Sequence, residues 1–558
     1  MHAPTLSARR LGLALAMALG IAPLAGLAAQ AAGDPSQDLA SIAASQPGTG
    51  DWPSYNHDPG SQRYSPLSQI NTSNVAKLKP TCTYDTGRKA NFEGGLLEVN
   101  GILYGTAGSL SFAIDANTCQ QVWSKDEGTA ANGTNRGMVY LDGRVFRGTN
   151  DGRVVAYNAK TGKRLWQVTI ADPSIGENVD AAPIAWNHTV YIGNSGGDSK
   201  GVKGHIFAID AKNGGIKWEA FLVPRTRGDV IRGPLAKDPN AKAANFTWMN
   251  EKDFPITGGG TWTSYTLDPE RGLLYIPGGN PAPDFYTASR EGDNLYTDSV
   301  VVLDARTGTY KTHFQLIPND FHDWDVSSAP VLATTRKGHQ LVLSTPKDGH
   351  LYAIDLANGR LRFKNDVTTV LNADTPFSTA PTHYCPGIDG GSEWNGPSFD
   401  AKHNLVLTGQ IDWCNTVQLE DASQINQVDL GQAWTGAISS ATFGSADPVA
   451  KWSGHLTATD ADSGQPMWRF DAPAPLAAGV TSTAGDLVFA ADMVGNVYAF
   501  DVAKGTKLWS AKLDGATGGG LITYDSGQGQ HIAVADGMTS GAWHTPTDVN
   551  AKVVVYGL

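Results

Sequence analysis

Residues 207–218, FAIDAKNGGIKW, contain the pattern that recurs through the chain. An apolar strand with alternating residues leads to Asp210, a glycine follows four residues later at Gly214, and a tryptophan follows eight residues later at Trp218. The other copies are FAIDANTCQQVW ending at Trp123, VAYNAKTGKRLW ending at Trp166, VVLDARTG around Asp304, YAIDLANGRLRF ending at Phe363, TATDADSGQPMW ending at Trp468 and YAFDVAKGTKLW ending at Trp509. These seven copies indicate a protein built from repeated units.

Each copy has the pattern of a β-hairpin. Its apolar residues alternate at period two, its glycine supplies the positive φ of the turn, and its tryptophan begins the outer strand. One such sheet cannot bury both faces alone, so the units must stack radially, with the tryptophan wedged between neighbouring sheets. We therefore predict an all-β chain that forms an eight-bladed β-propeller (a W-motif superbarrel), with seven blades as the alternative.

The spacing of the copies bears on the blade count. Two long gaps, between Asp210 and Asp304 and between Asp355 and Asp460, have room for inserted loops or a degenerate blade. Residues 399–409, FDAKHNLVLTG, have the pattern of a strand within the longer gap. Residues 552–556, KVVVY, are expected to complete a blade begun near the N-terminus and so to close the ring.

The N-terminus has the features of an export signal. Arg9 and Arg10 precede an apolar run, residues 11–32, and Ala29-Gln30-Ala31 has the A-x-A form that signal peptidase cleaves. We expect residues 1–31 to be a cleaved signal peptide and residues 32–558 to be a single propeller domain in the periplasm. An uncleaved anchor helix is the alternative.

The charge of the chain argues against one class of partner. The formal net charge is -12, and loss of Arg9 and Arg10 with the signal peptide lowers it by two, to about -14. Nucleic acid phosphates require lysine and arginine, so nucleic acid binding is not expected. Docking to a basic protein is compatible with this charge.

The four cysteines are an even number in a chain predicted to be exported, which indicates two disulfides. Cys82 and Cys119 flank one blade-sized segment, and Cys385 and Cys414 flank another, so we expect these pairs. The sequence contains no C-x-x-C-H motif, which excludes covalent c-type haem from these residues, and a structural zinc site is not expected.

The repeat A-x-D-x-x-T-G-x-x-x-W, the segment DWPSYN at residues 51–56 and the segment YSPL at residues 64–67 resemble the quinoprotein alcohol dehydrogenases. The resemblance covers nearly all of the predicted mature chain. It implies a bound pyrroloquinoline quinone (PQQ) and a divalent cation. Outer-membrane assembly scaffolds contain similar blades but are not enzymes. Only the residues at the mouth of the ring can therefore distinguish the two classes of protein.

The resemblance implies three cation ligands. Asp198 stands where the family usually has a glutamate, Asn280 matches its amide ligand, and Asp325 matches both a ligand and the catalytic base. These oxygen donors suit a hard cation, although Asp198 is one methylene shorter than glutamate. Ser327 stands where lanthanide-type members have an extra aspartate, which favours Ca²⁺ over a lanthanide. An ordinary turn at Asp198 or Asn280, and a structural blade motif at Asp325, are the alternatives.

The resemblance also implies residues that hold the quinone. Trp262 would stack on its ring, Lys347 would contact its oxygens, and Glu93 and Arg136 would hold its carboxylates and carbonyls. The small residues next to it would be Ser195, Gly196 and Gly197. Trp262 in a blade interface and Lys347 in a surface turn are the alternatives.

Two positions depart from the family pattern. Ala130 and Ala131 stand where many members have adjacent cysteines that lie against the quinone. Asp180 stands where a threonine is usual. A carboxylate near an anionic cofactor is unfavourable unless it points away or meets a cation.

The implied reaction is alcohol oxidation. Asp325 would take the hydroxyl proton of the substrate while hydride passes to the cation-activated quinone, and a separate acceptor such as a soluble cytochrome c would take the electrons. Asp198, Asp180, Ala130 and Ala131 favour the alternative of a catalytically silent periplasmic scaffold or binding module. A quinoprotein that acts on polyols or sugars is a third hypothesis.

Overall fold

The protein consists mainly of β-sheets, as the repeat predicts. The computed structural model describes residues 48–130, 133–226, 228–234, 244–250 and 254–558. The predicted signal peptide, residues 1–31, and Ala131 lie outside the described residues. No helix in the described part of the chain is long and apolar enough to cross a bilayer.

Eight sheets, each with four antiparallel strands and here numbered 1 to 8, follow one another through the described residues, and sheet 7 has a fifth, parallel strand. Sheet 1 contains Leu97–Val99, Ile102–Ala107, Leu110–Asp115 and Gln121–Asp126; sheet 2 contains Met138–Leu141, Arg144–Gly148, Arg153–Asn158 and Arg164–Thr169; sheet 3 contains Ile184–Trp186, Thr189–Gly193, His205–Asp210 and Ile216–Phe221; sheet 4 contains Thr266–Asp268, Leu273–Pro277, Ser299–Asp304 and Tyr310–Gln315. Sheet 5 contains Val331–Thr334, Gln340–Ser344, His350–Asp355 and Arg360–Asp366; sheet 6 contains Ser398–Asp400, Leu405–Asp412, Ser453–Asp460 and Pro466–Ala472; sheet 7 contains Thr481–Thr483, Leu487–Ala491, Asn496–Asp501 and Lys507–Lys512; sheet 8 contains Lys79–Asp85, Leu521–Asp525, Gln530–Asp536 and Lys552–Gly557.

Every repeat copy forms the last hairpin of its sheet. In sheets 1 to 7 the third strand ends at the aspartate or asparagine of the repeat, and the outer strand follows the turn. The predicted strand within residues 399–409 corresponds to Ser398–Asp400 and Leu405–Asp412 of sheet 6. The all-β prediction and the hairpin assignment are therefore confirmed.

Sheet 8 joins the two ends of the described chain. Its outermost strand, Lys79–Asp85, pairs antiparallel with Lys552–Gly557, as predicted for the KVVVY segment. Cys82 in this strand is bonded to Cys119 in the turn of sheet 1, with a Cα–Cα distance of 5.8 Å. A short strand, Tyr64–Ser65, also adds in parallel to the first strand of sheet 7. The N-terminal segment thus connects three sheets that are distant in sequence.

The tryptophans of the repeat lie between neighbouring sheets. The indole N–H of Trp218 in sheet 3 donates to the carbonyl of Ala305 in sheet 4 at 3.1 Å. A Cβ added to Gly308 in the same turn of sheet 4 would lie 2.7 Å from the Trp218 ring. The same contact recurs for Trp123 with Gly162, Trp166 with Gly214 and Trp468 with Gly505. At these four turns the glycine therefore serves two purposes, since it adopts positive φ and leaves room for the indole of the preceding sheet.

The apolar core lies between adjacent sheets. One buried cluster combines Phe146 of sheet 2, Tyr191 and Ile206 of sheet 3, and Leu274 and Val301 of sheet 4. The side chains of this cluster are apolar, so sheet 3 is stabilised by sheets 2 and 4 on its two faces.

Two inserted segments, in the two long gaps of the repeat, each carry a small sheet. A two-stranded sheet pairs Met249–Asn250 with Arg290–Glu291, and a three-stranded sheet contains Thr382–Tyr384, Asn415–Val417 and Ser445–Ala446. The described helices are one α-helix, Ala422–Gln427, and four 3-10 helices, Val75–Lys77, Pro173–Ile175, Ser440–Thr442 and Val449–Lys451. The second predicted disulfide, Cys385–Cys414, lies in these insertions with a Cα–Cα distance of 4.5 Å.

We expect Gly308→Ala to lower the free energy of unfolding more than a glycine substitution at an open turn does. The left-handed φ costs an alanine about 1–2 kcal/mol, and the clash with Trp218 adds about 1–3 kcal/mol. Gly338→Ala is the control, because Gly338 also has positive φ but nothing lies within 4 Å of the added Cβ. Urea unfolding of both variants measures the difference, and equal losses would contradict the docking role of the glycine.

Candidate functional site

A cavity of about 860 Å³ contains all ten residues that the sequence singled out. It is lined by loops that join inner strands and by the inserted segments. The ten residues are Glu93, Arg136, Ser195, Gly196, Gly197, Asp198, Trp262, Asn280, Asp325 and Lys347. They come from segments spread between Glu93 and Lys347, so the stacking of sheets 1 to 5 brings them together.

A group of carboxylates lies on one side of the cavity. Single oxygens of Asp198, Asp284 and Asp323 lie within 4.8 Å of one another. Asn280 connects this group to Asp325, because its backbone N–H donates to Asp325 Oδ1 at 3.0 Å and its side-chain amide donates to Asp284 Oδ1 at 3.0 Å. The three predicted ligands therefore lie in one cluster, which also contains two further aspartates.

Lys347 is the cationic partner of part of this cluster. Its ammonium lies 2.7 Å from Asp325 Oδ2 and 3.1 Å from Asp323 Oδ2. It also lies 5.4 Å from the centre of the Trp262 ring. Although burial lowers the pKa of the lysine, Asp323 and Asp325 outweigh that effect and raise the pKa well above its ordinary value. Lys347 is therefore charged and is not a surface-turn lysine.

Three aspartates of the cluster, Asp198, Asp284 and Asp323, ionise less readily than an ordinary aspartate. Burial, together with the charge of Asp325, raises the pKa of Asp198 to about 6. Burial and neighbouring aspartates raise the pKa of Asp284 and of Asp323 well above the ordinary value. A bound cation relieves this repulsion, and carboxylate and amide oxygens are the ligands that hard cations prefer. The cluster can therefore hold such a cation.

A second group suits a flat anionic ligand. Arg136 is buried and pairs with Glu93, and its guanidinium carbon lies 5.0 Å from the Trp262 ring and 4.0 Å from the Trp394 ring. Its Nε has no hydrogen-bond partner within the described residues. Burial lowers the pKa of Arg136 to about 10, which leaves it charged at neutral pH.

The small residues allow the backbone segments to approach closely. A Cβ on Gly197 would lie 3.1 Å from the backbone nitrogen of Gly260. The hydroxyl of Ser195 donates to Asp180 Oδ2 at 2.7 Å, and the amide of Asn150 donates to Asp180 Oδ1 at 2.6 Å. Burial raises the pKa of Asp180, and these two donors hold its carboxyl in the cavity wall. Ala130 is exposed and does not line the cavity.

Sequence reasoning did not identify several residues of the site. Asp323 lines the cavity and precedes Asp325 by two residues, whereas Asp284 belongs to the carboxylate group without lining the cavity and follows Asn280 by four. The only signal for either residue in the sequence is its closeness to a predicted ligand. Burial also raises the pKa of Asp389 to about 6 and that of Glu393 to about 8. The other unpredicted lining residues include Trp394, Phe443, Trp543 and His544. No repeat position marks them, because Trp394 and Phe443 lie in an inserted segment and Trp543 and His544 lie in the loop before the last strand of sheet 8.

Residues 52–374 match the PQQ family described as glucose/ethanol/alcohol dehydrogenase, beta-propeller domain, and this range contains all ten predicted site residues. The quinohemoprotein alcohol dehydrogenase of Comamonas testosteroni is 32% identical over 525 residues, which span 88% of this chain and 73% of the relative. The chain belongs to the PQQ-dependent alcohol dehydrogenase family. The dehydrogenase subunit of the alcohol dehydrogenase (quinone) of Acetobacter aceti is 33% identical over 533 residues, which span 87% of this chain and 71% of that protein.

Solved structures of the PQQ-dependent alcohol dehydrogenase family share the propeller fold. The crystal structure of the Comamonas testosteroni enzyme has a TM-score of 0.83 and 27% identity, and the match covers 93% of this chain and 83% of that one. A europium-containing methanol dehydrogenase has a TM-score of 0.79 at 24% identity over 94% of this chain and 100% of its own, which shows the fold. Residues 453–545 also match the family of the outer membrane protein assembly factor BamB, and this range contains none of the ten predicted residues.

We expect Lys347→Met to destabilise the chelator-treated protein more at pH 8 than at pH 5.5. Loss of one partner of a buried ion pair costs about 3–5 kcal/mol, because a charge is left uncompensated. Lys347 lowers the pKa of Asp323, so the loss of the lysine raises the pKa of this carboxyl further. At lower pH the Asp323 carboxyl of the variant is protonated and needs no counterion, so the loss of stability is smaller there.

Urea unfolding at the two pH values measures this effect. Lys402→Met, which removes an exposed pair with Asp486, is the control and should change stability little at either pH. A loss that is equal at both pH values would contradict the role of Lys347 as the counterion of the cluster.

Proposed function

We propose that the mature protein oxidises alcohols to aldehydes or ketones with bound pyrroloquinoline quinone and Ca²⁺. The observation that carries the proposal is one cavity in which a carboxylate and amide cluster adjoins a buried arginine and a tryptophan. The cluster suits a hard cation, and the arginine and tryptophan suit a planar ligand with several carboxylates. A non-catalytic propeller scaffold would not require so many buried charged side chains in one cavity.

The residues present fit the quinone. Arg136 has an unpaired buried Nε to donate to a carboxylate or carbonyl, and the half-buried ring of Trp262 offers a flat surface in the same cavity. Because the side chains of Ser195, Gly196 and Gly197 are small or absent, their backbone can lie close to a ligand in the cavity. We assign Glu93, Arg136 and Lys347 to the polar groups of the cofactor and Trp262 to its face.

The residues present also fit the cation. We assign Asp198, Asn280 and Asp325 as ligands. The Ser327 hydroxyl donates to the carbonyl of Ser392, so this position supplies no additional carboxylate. A site of carboxylates and an amide without that extra aspartate suits Ca²⁺.

Two neighbours hold the Asp325 carboxylate in a fixed position. The backbone N–H of Asn280 donates to its Oδ1, and the ammonium of Lys347 lies 2.7 Å from its Oδ2. Asp325 would remove the hydroxyl proton of the alcohol at one of these oxygens, and its burial excludes competing water. When bound, the cation-activated quinone supplies the acceptor for the hydride.

We further propose that residues 32–558 form one domain in which the eight sheets are the blades of a closed ring. Pairing of Lys79–Asp85 with Lys552–Gly557 supports closure. Cleavage after residue 31 would release the protein into the periplasm. Both cysteine pairs form disulfides, so none of the four cysteines is available to attach a haem. Electrons would therefore pass to a separate acceptor such as a soluble cytochrome c.

We expect Asp325→Asn to keep the bound quinone but to lower turnover about a hundredfold or more, because asparagine cannot accept the proton. The absorption spectrum reports the quinone, and dye reduction with ethanol reports turnover. Asp536→Asn is the control, since Asp536 is equally buried but lies outside the cavity. Turnover near that of the unmodified protein would remove Asp325 as the base.

We expect CaCl₂ to restore dye reduction to chelated, quinone-loaded protein better than LaCl₃ does. Ser327→Asp should shift the preference toward La³⁺ by adding a carboxylate. Restoration by La³⁺ alone in the unmodified protein would contradict the assignment of Ca²⁺. If the quinone causes no spectral change with either cation, the scaffold hypothesis is favoured. A panel of short alcohols, diols, polyols and sugars separates oxidation of alcohols from oxidation of polyols or sugars.

A further inference from the structure

We propose that Asp284, which the family pattern does not mark, is an additional direct ligand of the cation. This inference rests on the proposed function and deepens it. Asp284 is fully buried, and its Oδ2 has no hydrogen-bond partner within the described part of the chain. A buried carboxylate oxygen without a donor is costly, so this oxygen is expected to meet a cation that is not part of the protein.

The geometry of the cluster suits a shared ion. One oxygen from each of Asp198, Asp284 and Asp323 lies within 4.8 Å of the others. A cation at about 2.4 Å from each ligand spans about 4.8 Å between opposite oxygens, which is within the usual Ca²⁺ range. Asp284 can therefore reach the same ion as Asp198 without movement of the backbone.

The local scaffold holds Asp284 in place without neutralising it. Arg290 is buried and donates to the backbone carbonyls of Pro283 and Asp284 at 2.9 Å and 3.2 Å. The amide of Asn280 donates to Asp284 Oδ1, which leaves Oδ2 available. The arginine thus fixes the loop through its carbonyls and does not form an ion pair with the carboxylate.

The distribution of charge points to the same role. Lys347 pairs with Asp323 and Asp325. Among the residues that the structure describes, neither Asp198 nor Asp284 has a salt bridge to a lysine, arginine or histidine. These two carboxylates carry the charge that a divalent cation would neutralise. Asp284 also compensates for the shorter reach of Asp198, because it adds an oxygen ligand from a separate loop.

The test measures cation binding directly in the purified full-length mature protein after removal of cations by a chelator. Calorimetric titration with CaCl₂, with and without bound quinone, gives the affinity. We expect Asp284→Asn to weaken Ca²⁺ binding about tenfold or more. Asp389→Asn is the matched control, because Asp389 lines the same cavity outside the aspartate group, and it should change the affinity less than about threefold.

Terbium luminescence, sensitised by nearby tryptophan, distinguishes a ligand from a remote charge. Lifetimes in H₂O and D₂O count the waters on bound Tb³⁺, and Asp284→Ala should add about one water while Asp389→Asn adds none. Unchanged Ca²⁺ affinity of Asp284→Asn together with an unchanged water count would overturn the inference, and would indicate a protonated, structural Asp284. If the unmodified protein binds neither cation, the proposed function fails instead. Circular dichroism confirms that each variant is folded, and the near-isosteric Asp284→Asn preserves the test if Asp284→Ala does not fold.

Discussion

The docking of one aromatic side chain against the turn of the next sheet is the constraint on which the rest of the structure depends. Trp218 contacts both the Ala305 carbonyl and the Gly308 turn, and other sheets repeat this arrangement. Because each tryptophan links its sheet to the next copy of the repeat, the sheets stack in sequence order. The inner loops then meet at one place, although each sheet contributes only short segments to it.

The cavity shows why such a rigid frame is useful. Asp198, Asp284, Asp323 and Asp325 repel one another, and Lys347 compensates for only part of that charge. A flexible framework would let these groups move apart toward water. The packed sheets prevent that movement, so the unfavourable electrostatic energy remains available to favour cation binding.

The sequence predicted the features that depend on local pattern. The repeat specified each outer hairpin, and the resemblance marked ten residues that share one cavity, because they lie in short segments with recognisable neighbours. Asp284, Glu393 and Trp543 could not be found in this way. Their relation to the site depends on how the inserted segments, and for Trp543 the loop before the last strand of sheet 8, fold over the sheets. No periodicity constrains those loops. Residue Asp180 was recognised as unusual, but the donors that hold it, Ser195 and Asn150, become neighbours only in the folded chain.

The raised pKa values imply that a cation and protons compete for the same carboxylate. Burial raises the pKa of Asp198 to about 6, so a cation that binds its oxygens would displace a proton at lower pH. The affinity for the cation is therefore expected to rise with pH until this ligand is ionised. The loss of a methylene at Asp198 reduces the reach of one ligand, whereas the additional carboxylate of Asp284 increases the negative charge. In the proposed site the two changes act on the same ion, so we interpret them together as one rearranged cation site.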